Sequence, residues 1–263
     1  MRRALNASWA AFTLATCGFL VVPVLLSIVA GLSASYADGP AGGLTLRWLG
    51  EVWQLYHAEV GRSLLIAATT LAVVLAAGVP LAYVLALAGG RTARAIEELV
   101  AVPIAVPGLA LALALIQLYG PLGGFRRSWL FIVAGHTLFT LPFMTRAVLA
   151  VMQSFDLRAL DEAAASLGAG VWRRFATVAV PNSRPGILAG SLMTFTLSIG
   201  EFNLTWLLHT PLTKTLPVGL ADAYASMRLE IASAYTLLFF LMIVPVLVVL
   251  QWFARWSARR SLA

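Results

Sequence analysis

Charged residues are scarce in this chain of 263 residues, of which 11% are charged and 60% are hydrophobic. An ordinary soluble domain carries about 25% charged residues, so this composition excludes the soluble globular class and indicates a membrane protein. The 21 glycines and 12 prolines are spread along the whole chain. Because they form neither collagen triplets nor a low-complexity tract, the fibrous and disordered classes are excluded as well.

Lysine and cysteine each occur once, as Lys214 and Cys17. A single cysteine permits no internal disulfide and no cysteine-based zinc site, and we expect Cys17 to be buried filler in the first apolar run. Lys214 lacks the glycines of a phosphate-binding loop, so the chain is not itself an ATPase. The net charge of +7 comes from short arginine patches. This pattern does not support a nucleic-acid partner.

The amino terminus combines features of a signal peptide with those of a membrane span. Met1-Arg2-Arg3 precedes an apolar run, and Ser35-Tyr36-Ala37 resembles a cleavage site. The run of residues 9–31 is longer than the core of about 7 to 15 residues in a signal peptide, and it can cross a bilayer of about 30 Å. We therefore expect an uncleaved first span.

Six apolar runs approach the roughly 20 residues that one membrane crossing requires. They lie at residues 9–31, 63–88, 99–119, 129–151, 186–208 and 235–253. Isolated strands cannot satisfy their backbone in lipid, and the runs lack the alternation of barrel strands. The predicted fold class is therefore all-α, with six transmembrane helices. If the amino terminus is inside, twelve basic residues are cytoplasmic and six are external, which predicts that both termini are cytoplasmic.

The polar connection after the fourth run, residues 155–185, is then cytosolic and begins with a predicted amphipathic helix. Asp156 is a candidate N-cap, and Gly168 and Gly170 can end the helix. One apolar face follows from residues at intervals of three and four, namely Leu160, Ala163, Ala164 and Leu167. Arg158 and Glu162 can pair beside this face.

A second short helix is expected to carry Val171, Phe175 and Val178 on one face, until Pro181 and Pro185 end it. The two pieces predict a helix-turn-helix arrangement with Gly168 at the turn. By itself, such a connection can also be an inert cover for one end of the helices.

The spacing within this connection resembles the EAA loop of permease subunits from binding-protein-dependent ABC importers. It is carried by Glu162-Ala163-Ala164, then Gly168, then Val178-Ala179-Val180-Pro181. The family pattern ends in isoleucine, any residue, leucine and proline, so valine replaces isoleucine at 178 and leucine at 180. Both replacements are conservative. We call residues 155–185 the EAA loop.

This resemblance implies a type I (MetI-like) permease whose EAA loop is a coupling helix that docks on a cytoplasmic ATP-binding subunit. The implied coupling residues are Glu162, Ala163, Ala164, Leu167, Gly168 and Pro181. It also implies a second permease subunit, in a heterodimer or a homodimer, and an extracytoplasmic solute-binding protein. The location implied is the bacterial inner membrane, with lipid around the spans.

Polar side chains in the fifth run recur at intervals of three and four and share one helical face: Ser191, Thr194, Ser198, Glu201 and Thr205. A charged group at mid-bilayer costs about 2.5 to 3.5 kcal/mol, so Glu201 should face water, a partner or a solute. Alternatively, Glu201 makes a structural hydrogen bond while the hydroxyls bond their own backbone. The residues leave both interpretations open.

The stretch Ser198-Ile199-Gly200-Glu201-Phe202, followed by Thr210-Pro211 and Leu216-Pro217-Val218, is similar to the polyamine, phosphonate, molybdate and iron branch of these permeases. In that branch the fifth span lines the translocation path, so the resemblance implies that the five polar residues are pathway residues.

Prolines are expected to interrupt three spans: Pro80 the second, Pro103 with Pro107-Gly108 the third, and Pro142 the fourth. His136 and His209 are isolated, and isolated histidines usually make one local hydrogen bond, so neither is assigned a role.

The resemblance covers about residues 57–252, which leaves 1–56 as the first span with its external loop and 253–263 as a basic cytoplasmic tail. No catalytic residue, metal or cofactor is assigned, and the solute stays open among polyamine, aminophosphonate and similar small molecules. The main alternative is an ion-coupled secondary transporter with Glu201 in a relay, but no inverted repeat supports it. An intramembrane hydrolase lacks its motifs here.

Overall fold

Long helices formed by the apolar runs account for most of the chain. The structure is a computed structural model that describes the backbone of residues 2–260 and the side chains of residues 8–252. Its helices are α1 (Arg2–Gly31), α2 (Arg47–Ala88), α3 (Gly90–Ala105), α4 (Gly108–Tyr119), α5 (Gly123–Arg127), α6 (Trp129–Met152), α7 (Leu157–Ser166), α8 (Val171–Arg174), α9 (Val180–Asn182), α10 (Arg184–Ile199), α11 (Asn203–Leu208), α12 (Leu216–Ala225) and α13 (Leu229–Arg260). A π-helical segment, Phe175–Ala179, joins α8 to α9.

Four helices within the described residues are long and apolar enough to cross a membrane, namely parts or all of α1, α2, α6 and α13. The pair α3 and α4 counts as a fifth, broken span, because the two helices are bent by 104°. The fifth predicted run forms α10 and α11 instead of one long helix. With 16 residues, α10 rises about 24 Å, which is short of a hydrocarbon core of about 30 Å.

Of the predicted interruptions by proline, only the one at Pro107-Gly108 in the third run is confirmed, since Pro103 lies inside α3. Val106, before Pro107, has the extended backbone that a following proline favours, and the helix breaks there. The prediction for Pro80 and Pro142 is wrong, since both lie inside continuous helices, α2 and α6. Each proline removes one N–H group, and membrane helices tolerate this loss when neighbouring groups satisfy the freed carbonyl.

A small hairpin between α1 and α2 was not predicted. Its strands are β1 (Ser33–Ser35) and β2 (Gly39–Leu44), which pair antiparallel. The dipeptide Asp38-Gly39 is a strong hairpin signal, and Gly39 has the positive φ of 56° that a three-residue loop requires. The all-α prediction therefore describes the spans but not this connection.

The described residues divide into two units. One unit runs up to Ala58 and includes Gly219–Met242, and the other comprises Glu59–Val218 with the residues from Ile243 onward. In the first unit, the backbone N–H of Tyr36 donates to Glu230 Oε1 at 3.0 Å. The prediction that Cys17 is buried is wrong, because it lies on an exposed face of α1.

The second unit is held by two clusters of buried apolar residues. One lies where the end of α2 meets α6 and the EAA loop, and includes Tyr83, Leu149, Met152, Leu157 and Ala179. The other joins α4, α6 and α11, and includes Leu111, Leu115, Phe131, Leu204 and Leu208. Burying one such side chain stabilises a fold by roughly 1.5 to 3 kcal/mol in water, so each cluster fixes the elements it joins.

Candidate functional site

The first helix of the EAA loop is capped at both ends by the residues that the sequence indicates. Asp156 Oδ1 accepts a hydrogen bond from the N–H of Ala159 at 3.0 Å, which confirms Asp156 as the N-cap of α7. Gly168 has a φ of 81°, in the left-handed region that glycine adopts readily. The N–H of Ala169 then reaches back to the carbonyl of Ala164 at 3.1 Å and closes the helix end. The loop is therefore a defined turn.

The apolar face of α7 is exposed in the chain. Leu160 is 46% exposed and Leu167 is 89% exposed, and Ala163 is exposed between them. In α8, which follows the turn at Gly168, Val171 and Trp172 are 57% and 80% exposed. Large exposed apolar groups that lie side by side are typical of interaction surfaces. We call these five residues the α7 face.

The remaining predicted coupling residues lie beside the α7 face or behind it. Glu162 is exposed and pairs with Arg158 at 3.8 Å, as the spacing predicts. Ala164 is half-buried. Pro181 lies in α9, next to Val180, which packs against the buried cluster at the end of α2, as does Val178 of the π-helical segment.

The second helix of the EAA loop differs from its prediction. Phe175 and Val178 pack against the buried cluster, whereas Val171 is exposed and does not take part in it. Pro181 does not end the helix, which continues to Asn182 through the π-helical segment. Because a π turn widens the hydrogen-bond pattern just before the proline, the chain accommodates a residue that has no N–H group.

The polar side chains of the fifth run lie on one side, as their spacing predicts, and that side packs against α6. Thr194, Ser198 and Thr205 are buried. Ser191 Oγ donates to the carbonyl of Ile187 at 2.7 Å, one turn back in its own helix. Among the described residues, Thr194 Oγ1 has no hydrogen-bond partner.

Glu201 lies at the break between α10 and α11, and its carboxylate is bonded to backbone groups. Oε1 accepts from the N–H of Leu204 at 3.0 Å, and Oε2 accepts from the N–H of Thr205 at 2.9 Å. Thr205 Oγ1 also donates to Oε2 at 3.1 Å. A carboxylate here satisfies the first N–H groups of α11 and complements the positive end of the helix.

His136 is the residue of this region that the sequence reasoning missed. Its Nδ1 lies 2.8 Å from Ser198 Oγ, and its Nε2 lies 2.8 Å from Thr205 Oγ1. The imidazole thus joins α6 to α10 and α11 at once, with Nε2 at 4.0 Å from Glu201 Oε2. We call His136, Ser198, Glu201 and Thr205 the His136 cluster. The available signal was a histidine inside an apolar run, which is rare enough to suggest a specific partner.

Glycines allow the helices around the His136 cluster to approach closely. A Cβ atom on Gly135 of α6 would lie 2.5 Å from side-chain atoms of both Leu204 and Leu208. A Cβ atom on Gly108, just after the predicted break, would lie 3.3 Å from Asn203 Cβ. The half-helix α11 is therefore packed against both α4 and α6 at positions without a side chain.

The sequence of this chain matches one known family of membrane transport subunits. Residues 78–262 match the model of the family described as the inner membrane component of binding-protein-dependent transport systems. The chain belongs to this family. It is an integral membrane permease subunit of the ABC importer class, as the EAA spacing indicates.

Curated relatives of this permease come from archaea and bacteria. It is 32% identical over 239 residues to a probable molybdenum ABC transporter permease protein of Haloferax volcanii, covering 88% of this chain and 85% of the relative. It is 29% identical to the molybdenum transport system permease protein ModB of Azotobacter vinelandii, covering 77% and 94%. It is 28% identical to the putrescine transport system permease protein PotI of Escherichia coli, covering 76% and 74%.

Solved structures share the fold of the permease. A bacterial ABC transporter for import of the acidic polysaccharide alginate matches with a TM-score of 0.69 and 17% identity, covering 98% of this chain and 95% of that one. The MetNI methionine ABC transporter in inward-facing conformations matches with a TM-score of 0.64 and 16% identity, covering 80% and 97%. These matches confirm the MetI-like fold.

Proposed function

We propose that the chain forms half of the translocation pathway of an ATP-driven importer and that the α7 face docks on a separate cytoplasmic ATPase subunit. The exposed α7 face is the observation that carries this proposal. Exposed Leu160 and Leu167, on a helix capped at both ends, form with Trp172 of α8 a surface that gains stability by burial against a partner. A capped helix also transmits a rigid displacement, which a flexible loop would absorb.

In the proposed topology the chain crosses the membrane six times, and α10 and α11 together form the fifth crossing. A broken span is tolerated where its free backbone groups are satisfied inside the protein, and Glu201 satisfies two of them. With the basic residues mainly inside, the EAA loop and both termini are cytoplasmic. The transport domain is then residues 57–252, completed by a second permease subunit and served by an extracytoplasmic solute-binding protein.

For the solute, we propose an oxyanion of the molybdate type. Two of the relatives above carry molybdenum in their names, and one of them aligns with 88% of the chain. Glu201 would suit an amine if its carboxylate were free, but both of its oxygens accept backbone hydrogen bonds. The same bonds weaken the alternative of an ion-coupled transporter in which Glu201 relays ions.

A crosslinking experiment tests the docking. Leu167→Cys, in a Cys17→Ser background, should crosslink to the cognate ATPase subunit in membranes. Ala165→Cys is the matched control, because Ala165 is exposed on the opposite side of the same helix turn and should crosslink weakly. In a parallel measurement, a thiol reagent that cannot cross the membrane is added from the periplasmic side. If it labels both cysteines equally, the docking and the cytoplasmic position of the EAA loop are both refuted.

An uptake experiment tests the solute. Vesicles that contain the permease with its cognate ATPase and solute-binding protein are given labelled molybdate or labelled putrescine, with and without ATP. ATP-dependent accumulation of molybdate is the expected result. Accumulation of putrescine alone would overturn the oxyanion, and uptake driven by an ion gradient without ATP would overturn the importer mechanism.

A further inference from the structure

Asp161 is a buried carboxylate on an otherwise exposed helix. It is 4% exposed, whereas its neighbours Leu160 and Glu162 in α7 are exposed. Aspartate is rarely buried in folded proteins unless it is paired, because removing its charge from water is costly. The position therefore has a specific partner set, and neither the EAA pattern nor the apolar periodicity accounts for it.

The partners of Asp161 belong to two other helices. Tyr83 of α2 donates its hydroxyl to Asp161 Oδ1 at 2.5 Å. Arg174 of α8 donates from Nη1 to Asp161 Oδ2. One carboxylate thus joins the coupling helix α7 to a long membrane helix and to the second helix of the EAA loop. Phe175 packs on the Tyr83 ring at 5.3 Å between centroids and shields the group from water.

A second contact joins α7 to α2, about one helical turn from the contact between Asp161 and Tyr83. Arg158 of α7 donates from Nη2 to the carbonyl of Leu87 in α2 at 3.1 Å. Arg158 and Asp161 are three residues apart in α7, and Tyr83 and Leu87 are four apart in α2, so each pair lies on one face of its helix. Two connections side by side resist both sliding and rotation of α7 against the end of α2.

We propose that Asp161, Tyr83 and Arg174 form a strut that positions α7 on α2, so that a displacement of α7 by the ATPase moves α2 as well. This inference rests on the proposed docking of the α7 face. Along the chain, α7 connects directly only to α6 and, through α8, to α10. Without the strut, α2 would receive the displacement only through side-chain packing.

The test compares transport with ATP hydrolysis in the reconstituted complex. Tyr83→Phe removes one hydroxyl and keeps the ring against Phe175. We expect the complex to assemble and its ATPase to respond to loaded solute-binding protein as before. Solute moved per ATP hydrolysed should fall about tenfold, as expected for loss of one hydrogen bond to a charged group. Tyr56→Phe is the matched control, because it removes one tyrosine hydroxyl that accepts a hydrogen bond from Arg228, and it should keep the wild-type ratio.

A distance measurement distinguishes a lost connection between α7 and α2 from a general loss of protein stability. Spin labels at exposed Val84 of α2 and Ala165 of α7, in a Cys17→Ser background, should keep their separation between nucleotide-free and ATP-trapped states. In the Tyr83→Phe variant the separation should change between these states. A destabilised but still connected protein would not show this difference.

Asp161→Asn provides a second variant, because its amide cannot accept from Arg174 and Tyr83 in the same way. Its effect should add nothing to Tyr83→Phe if both act through one strut. An unchanged transport ratio in either single variant, with the complex assembled, would overturn the strut while leaving the docking intact. Absence of any crosslink between wild-type α7 and the ATPase would overturn the docking, and the strut with it.

Discussion

The α7 face and the His136 cluster differ in how much of their bonding capacity is used within the chain. Leu167 and Trp172 lie almost fully in solvent, with no surface of the described chain over them. Ser198, Glu201 and Thr205 have the opposite character, since each is hydrogen-bonded to His136 or to the start of α11. The first surface is the one proposed to dock on a partner, whereas the second makes its hydrogen bonds within the chain. Substitutions should therefore act on assembly at one and on stability at the other.

The largest effect is expected at the α7 face. Leu167→Asp places a charge where an apolar contact is proposed, and it should abolish copurification of the ATPase subunit without unfolding the permease. Ala165→Asp introduces the same charge in the same helix turn on the other side and should keep the complex. Affinity purification followed by gel filtration measures both. Copurification of wild-type amounts with Leu167→Asp would contradict the docking surface.

At the His136 cluster, His136→Leu should lower stability and leave ATPase binding unchanged. Two buried hydrogen bonds are lost, each worth about 0.6 to 1.7 kcal/mol in membrane proteins, so the expected loss is about 1 to 3 kcal/mol. His57→Leu is the control, since His57 is exposed and bonds only the carbonyl of Trp53. Unfolding in detergent mixtures measures the free energy of unfolding of each variant. If the two variants are equally stable, His136 does not brace the helices.

Glu201 offers a way to separate a brace from a pathway residue. Glu201→Ala should destabilise the chain by about 1 to 2 kcal/mol, the usual cost of losing a helix cap, while Glu201→Gln keeps an acceptor and should cost less. Uptake should follow stability in both variants. If Glu201→Gln blocks uptake at wild-type stability, the carboxylate acts on the solute and the bracing interpretation fails.

The smallest effect is expected at the turn of the EAA loop. Gly168→Ala should cost about 1 kcal/mol because φ is 81° there, although an added Cβ meets nothing within 4 Å. Gly170→Ala is the matched control, with a φ of −66° and equally open surroundings. The measured quantity is the affinity of the permease for the ATPase subunit. The Gly168→Ala variant should bind this subunit several-fold more weakly than the Gly170→Ala variant. Identical affinities would show that the turn geometry does not matter for docking.

Local signals in the sequence predicted the ends of α7 and the break between α3 and α4. Asp156 as a cap, Gly168 as a left-handed turn and Pro107 as a helix break each depend on a few neighbouring residues. Pro181 was misjudged because the π-helical segment before it, which sequence periodicity does not reveal, accommodates the missing N–H group.

Contacts between distant residues could not be predicted in the same way. His136 lies 62 residues from Ser198, and Asp161 lies 78 residues from Tyr83. Periodicity shows which side of a helix is polar, but not which helix packs there. The hydroxyls of Ser198 and Thr205 lie against His136 of α6, a contact that the spacing of the polar residues does not reveal. The resemblance of the EAA loop indicated the family, while the pairing of side chains is seen only in the tertiary structure.

The π-helical segment also sets the angle by which the α7 face is rotated relative to α10, the first helix of the fifth run. Successive residues of an α-helix turn by about 100°, so one residue more or fewer between Arg174 and Val180 would swing the α7 face by about that angle relative to α10. An insertion or deletion at this point would therefore turn the proposed docking surface away from its present direction unless the count is restored elsewhere in the loop.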